Sequence, residues 1–288
     1  MKAIYKREVS SYFNSMTGWI FVAAMTAFIG IYFMVYNLFA GYPYFSSALS
    51  AVLFLTIILV PILTMRSMAE DRRSKTDQLL LTAPVPVAGV VFGKYFAMLT
   101  VFAVPVGIST LCPIIIKLNG TAFLKADYAT LFAFFLLGAV EIAAGLFISS
   151  LTESQIIASV GTFGLLLVLY LWDGLLDYLP VSASGSLMGL IVLLLLLCFL
   201  VNALTDNWKV SAGVLAAGGL AIAVGYWNAS DKFMNLLPNV LGKFSLLTAF
   251  NSFAQDHVFD LSGALLYLSL IALLMFLTVQ VIQKRRWN

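Results

Sequence analysis

Along most of this chain the apolar residues do not keep to one helical face but fill whole stretches, the pattern of helices buried on every side. Eight stretches, near 17–37, 48–66, 94–116, 128–150, 156–172, 187–204, 211–227 and 263–283, approach the roughly 20 residues that an α-helix needs to cross ~30 Å of hydrocarbon. The fifth, sixth and seventh are short, so residues 187–227 read either as a crossing pair or as a re-entrant hairpin. Both readings give an even number of crossings and put the two termini on one side.

Three segments depart from that pattern. Residues 1–16 place Tyr5, Val9, Tyr12, Phe13 and Met16 on one helical face and Lys2, Lys6, Arg7, Ser10 and Asn14 elsewhere, which predicts a helix lying in the membrane interface. No small-residue cleavage site follows a short apolar core, so this helix is expected to belong to the mature protein. Residues 66–94 form the one long charged segment, with Arg66, Arg72, Arg73, Lys75 and Lys94 set against Glu70, Asp71 and Asp77. Arg66 to Leu81 contains neither Gly nor Pro, Thr76 stands three residues before Leu79, and Pro84 and Pro86 end the helix before another begins near Val87. The expected product is a short amphipathic helix across the membrane face, with Met68, Leu79, Leu80 and Leu81 open to a partner or to lipid; the plainer reading is a solvated loop. The third segment, 228–262, is too oily for a loop, and its apolar residues around Pro238 predict two short helices dipping into the outer leaflet.

Composition agrees with the pattern. Of 288 residues, 62% are apolar and only 10% charged, with a mean hydropathy of +1.01, against roughly 25% charged residues in soluble domains. The chain is therefore read as an all-α integral membrane protein. Charge sets its orientation, because cytoplasmic loops hold the excess of Lys and Arg. With the N-terminus inside, 12 of the 16 basic residues face the cytoplasm, Lys209 and the 66–94 segment among them, and Lys117, Lys125, Lys232 and Lys243 remain outside. Cys112 and Cys198 lie in apolar runs and suggest packing, not a disulfide or a metal.

Candidate chemistry is sparse. Gly89-Val-Val-Phe-Gly-Lys94 is one residue too short between its glycines for a phosphate loop and has Tyr95 where a hydroxyl ligand for magnesium would sit. No residue set for ATP hydrolysis is expected, so an ATP-driven process would need its motor on another chain. Glu141 is the acid well inside an apolar run, and it reads either as a contact in a translocation path or as a polar tie to a neighbouring helix or subunit. His257, between Asp256 and Asp260, fits a surface polar cluster better than a metal site.

Taken together, Pro61-Ile-Leu-Thr-Met-Arg66, Ala69-Glu-Asp-Arg72, Leu79-Leu-Leu-Thr-Ala-Pro-Val85, Gly93-Lys94, Gly145-Leu-Phe-Ile-Ser-Ser-Leu-Thr-Glu153 and the run from Asp260 to Leu277 resemble ABC-2 type ABC transporter permeases, in the branch with the gliding-motility-associated and nitrous-oxide-reductase-maturation permeases. The resemblance implies one transmembrane permease domain over 1–288, with a six-helix core and residues 187–227 as an extra pair. It implies that the segment after the second membrane helix is a coupling helix that docks on an ATPase, with Ala69, Glu70, Asp71, Arg72, Arg73, Thr76, Leu79, Leu80, Leu81, Thr82 and Pro84 as coupling residues, and that residues 5–16 act as the family's connecting helix. Lys75 and Gln78 depart from the family pattern, which implies an altered ATPase groove. The implied partners are ABC ATPase subunits carrying the ATP and magnesium, a second permease subunit as homo- or heterodimer, an accessory extracytoplasmic subunit and membrane lipid, with no nucleic acid. The implied location is the bacterial cytoplasmic membrane with both termini cytoplasmic. The activity implied is transport, with export expected; a non-translocating membrane anchor for an ATPase and a channel are the alternatives.

Overall fold

A backbone in hydrocarbon has no water to bond to, so the apolar runs close their hydrogen bonds within themselves as helices. The computed structural model describes residues 1–76, 86–205, 212–213, 215–216, 218–219 and 234–287, and among these all regular structure is helical. Among the described residues five stretches are long and apolar enough to cross a membrane: Met16–Phe39, Ser46–Arg73, Val87–Asn119, Leu124–Leu151 and Leu261–Lys284. Gln155–Tyr170 and Ala183–Leu195 are shorter apolar helices. Of the eight expected stretches, the seventh lies mostly outside the described residues, as does Lys209.

The chain divides into two compact units, residues 1–170 with 246–288, and residues 171–245. The first begins with α1 (Lys2–Asn14), followed after one residue by α2 (Met16–Phe33), which ends in a π turn over Met34–Phe39. Then come α3 (Ser46–Thr64), the short α4 (Ala69–Arg73), α5 (Val87–Ser109), α6 (Leu111–Asn119), α7 (Leu124–Leu151) and α8 (Gln155–Tyr170). Helix α7 is the buried axis of this unit: it touches α3, α5 and α8, together with α12 (Leu246–Ala254) and α13 (Leu261–Trp287) from the end of the chain. Its buried side chains run from Leu131 to Leu146 without a polar break except Glu141.

At one end of this unit the loops are clasped by aromatic stacking. Tyr44 lies flat between Phe123, 4.6 Å away, and His257, 3.9 Å away, and the backbone N–H of Phe45 donates to the buried Asp127 carboxylate at 2.8 Å. His257 is thus a ring in a stack, and among the described residues no cluster of His, Cys, Asp and Glu has the arrangement of a metal site.

The second unit contains α9 (Trp172–Leu176), α10 (Ala183–Thr205) and α11 (Leu236–Gly242). The Trp172 indole donates to the carbonyl of Leu241 at 3.0 Å, and Leu237 fills the space over Gly189, where an added Cβ would stand 2.3 Å from its methyl carbon. The two short helices expected around Pro238 are α11 and α12.

One expectation needs correction. The helix expected from Arg66 to Leu81 does not run unbroken. Arg66 to Met68 form a turn, α4 has only five residues, and the chain leaves it at Ser74 and Lys75. The Ser74 hydroxyl donates to the Glu70 carbonyl at 2.8 Å, and Lys75 takes a left-handed conformation with φ of 58°; a side-chain bond that competes with the helix and a left-handed residue after it are both helix terminators. The helix expected to begin near Val87 does begin there, directly after Pro86, and it carries the third apolar stretch from its first residue. Lys94 therefore lies inside a helix.

Candidate functional site

Lys94 organises the charged end of the first unit. It sits two turns into α5, only 2% exposed, where a lone cation would be costly. Three oxygens from two other elements surround it: its ammonium lies 2.7 Å from Asp71 Oδ2, 3.3 Å from Glu8 Oε1 and 2.5 Å from the Ser67 carbonyl. Glu8 is held in turn by Arg7 at 2.6 Å, and this hydrogen bond to the carboxylate pushes the Arg7 guanidinium above its usual range. One buried cation thus joins α1, the segment around α4, and α5.

The same segment is tied to α7 and α3. The Ser149 hydroxyl, near the end of α7, accepts from the backbone N–H groups of both Met68 and Ala69 at 3.1 Å and lies 3.3 Å from the Met65 carbonyl. The first turn of a helix has unpaired N–H groups, and Ser149 supplies from another helix what a capping side chain would supply locally. Just above it Gly145 lets α7 approach α3 so closely that a Cβ there would stand 2.3 Å from Thr64 Oγ1. Arg72 pairs with Glu153 beyond α7 at 2.8 Å. Tyr12 of α1 donates to the Leu63 carbonyl at 3.1 Å, and burial pushes its phenol pKa up, which keeps the donor protonated.

The coupling residues implied by resemblance therefore divide into two faces. Ala69 is buried, Asp71 is half-buried and turned inward onto Lys94, and Arg72, also half-buried, pairs with the exposed Glu153. Arg66, Glu70, Arg73, Lys75 and Thr76 are exposed; the Arg66–Glu70 pair is loose, at 3.8 Å. Leu79, Leu80, Leu81, Thr82 and Pro84 lie outside the described residues. Within this segment a buried lysine takes Asp71, and Glu153 takes Arg72. Between α1 and this segment is a polar cavity of about 380 Å³ lined by Glu8, Ser11, Arg66, Glu70, Asp71 and Lys94, among others.

Gly89 to Lys94 is helix interior, so its backbone N–H groups serve α5, and the lysine is engaged as described. That is not the geometry of a phosphate cradle.

Glu141 lies apart from this cluster, deep in α7. Its Oε1 accepts from Thr56 of α3 at 2.8 Å, and the Thr56 hydroxyl is equally close to the Leu53 carbonyl. Glu141 Oε2 has no protein partner among the described residues, and the side chain borders a small void of about 20 Å³ walled by Leu137, Leu166, Tyr170 and Leu246, room for about one water.

Sequence reasoning missed Glu8, Ser149 and the burial of Lys94. Of these, Lys94 left a readable signal: a single cation within an apolar helix requires a partner, and grouping Lys94 with the charges of residues 66–94 hid it.

The described residues thus form an all-helical membrane protein whose charged segment is tied to α1, α3, α5 and α7. The chain belongs to the ABC-2 family of transporters: the family model described as ABC-2 family transporter protein matches residues 2–281. No curated protein matches the chain. Membership makes this a membrane component of an ABC transporter, a class of subunit that works with ABC ATPase subunits.

Proposed function

We propose that this chain is the permease subunit of an ATP-binding-cassette exporter of the bacterial cytoplasmic membrane, working by alternating access with a second permease and with ATPases that hold the ATP and magnesium. The ATPase docks on the segment from Ala69 to Pro84, of which Glu70, Arg73, Lys75 and Thr76 are exposed among the described residues. The observation that supports this most is the set of ties at Lys94, Ser149, Glu153 and Tyr12. A loop with no mechanical role needs no such anchoring, whereas a segment fixed to α1, α3, α5 and α7 moves those helices when a partner pushes it. Glu141 is the candidate for the translocation path within the same helices.

The test is purification of the tagged full-length chain from its native membrane, with mass spectrometry of bound proteins and ATP-dependent transport in vesicles. The reading expects a stoichiometric ABC ATPase and a substrate gradient on ATP addition. An ATPase bound without any ATP-dependent flux would favour an anchor, and flux without an ATPase would favour a channel.

A further inference from the structure

A groove of about 580 Å³ runs between α1 and α5, walled by Tyr5, Phe96, Leu99, Thr100, Ala103 and Phe135, with Lys2 at its mouth. We propose that it is a binding site for one acyl chain of an anionic phospholipid, with the headgroup held by Lys2 and Lys6. The proposal needs only that the helices cross a bilayer and does not rest on the transport reading.

The lining selects an acyl chain over a peptide. Its two hydroxyls, Tyr5 and Thr100, bond to each other at 2.9 Å and offer little to a polar ligand. The remaining wall is aliphatic and aromatic carbon, and Phe92 and Phe96 on α5 are exposed beside it, so the groove opens among side chains that face lipid.

The mouth selects charge. Lys2 and Lys6 are one helical turn apart on α1, both exposed, and the first turn of that helix contains no acid. The nearest carboxylate on α1, Glu8, is already occupied by Lys94 and Arg7, so it does not neutralise the two lysines. Each lysine near an anionic surface adds attraction of a kind that a zwitterionic headgroup does not match. Depth fits as well: α1 lies along α5, with Ile4 against Gly93, so a headgroup beside Lys2 leaves its chain pointing along Phe96 to Ala103.

The experiment uses the full-length protein in lipid nanodiscs doped with phosphatidylglycerol or with phosphatidylcholine, each carrying a photoreactive group in one acyl chain, and maps adducts by mass spectrometry. The exposed Leu265 and Leu268 of α13 serve as an internal reference for bulk lipid. Adducts of phosphatidylglycerol should concentrate on residues 96–103 at least threefold over that reference, and phosphatidylcholine should not. Lys2→Ala with Lys6→Ala should bring the phosphatidylglycerol signal down to the phosphatidylcholine level. Ala103→Trp should abolish labelling of the groove by both lipids while the α13 reference persists. The double lysine variant alters only exposed side chains, so it decides the matter if the tryptophan variant fails to insert. Equal labelling by the two lipids, an unchanged pattern in the lysine variant, or a cross-link between two copies of the chain at this groove would overturn the proposal.

Discussion

A buried lysine with two carboxylates is stable only as a set. Removing Lys94 leaves Asp71 and Glu8 without their cation on the wall of a polar cavity, and because both carboxylates keep some exposure the cost falls below the ~3–5 kcal/mol of breaking a fully buried pair. Lys94→Leu is therefore expected to lower the thermal unfolding temperature in detergent markedly, and Asp71→Leu added to it should recover part of the loss, because the unpaired charge goes with it. A double-mutant cycle measures that recovery; strictly additive losses would show that the two groups do not interact. Asp71→Lys is expected to be at least as damaging as Lys94→Leu, since it places two ammonium groups together. At Gly145 the argument is steric: Gly145→Ala pushes a methyl group into Thr64, and overpacking of this kind costs about 1–3 kcal/mol. Thr64→Ala with Gly145→Ala, which removes the hydroxyl oxygen that the new methyl would strike at 2.3 Å and the Cγ2 beside it, should give some of it back. Glu141→Gln keeps an acceptor for Thr56 and adds a donor of its own, so it should fold as well as wild type while altering transport; normal transport would reduce Glu141 to a tie between α3 and α7.

At the scale of elements, α4 is too short to be stable alone, since isolated helices below about 12 residues are marginal in water. Its place is set from outside by Ser149. Ser149→Ala leaves two backbone N–H groups short of an acceptor, at about 1–3 kcal/mol, and should loosen α4 more than α7, read as faster hydrogen exchange over residues 68–73 with little change in 131–146. The long helices were legible in the chain because a run of apolar residues leaves a backbone in hydrocarbon no other choice. The two short helices α11 and α12 were legible because the segment is too apolar for a loop, although Pro238 lies inside α11 and the chain breaks only at Lys243 to Ser245. What the sequence could not show was which charges turn inward. Asp71 and Glu70 are neighbours of like charge, and only the arrival of Lys94 from a distant helix separates them into a buried group and an exposed one. Ser149 is likewise one of two adjacent serines at the end of an apolar run, and its role exists only because α4 comes to rest beside it.

At the scale of the whole molecule, the proposed function gives the segment around α4 an outer face for an ATPase and an inner face that passes motion to α1, α3, α5 and α7. The two faces can be separated by mutation. Glu70→Lys with Arg73→Glu changes only exposed groups, and the loose Arg66–Glu70 pair that it breaks is worth about 0.3–0.5 kcal/mol, so insertion and stability should be unaffected. Across a docked interface the same reversals create like-charge contacts, which shows as lost binding. The most direct measurement is the ATP hydrolysis rate of the ATPase that co-purifies with the wild-type chain, recorded with this surface variant and with Ser149→Ala in the same vesicles. The surface variant is expected at normal membrane level but without bound ATPase or stimulated hydrolysis. Ser149→Ala is expected to keep the ATPase and lose most of the coupling between hydrolysis and transport. Wild-type binding, hydrolysis and transport in both variants would contradict the assignment of this segment as the coupling element.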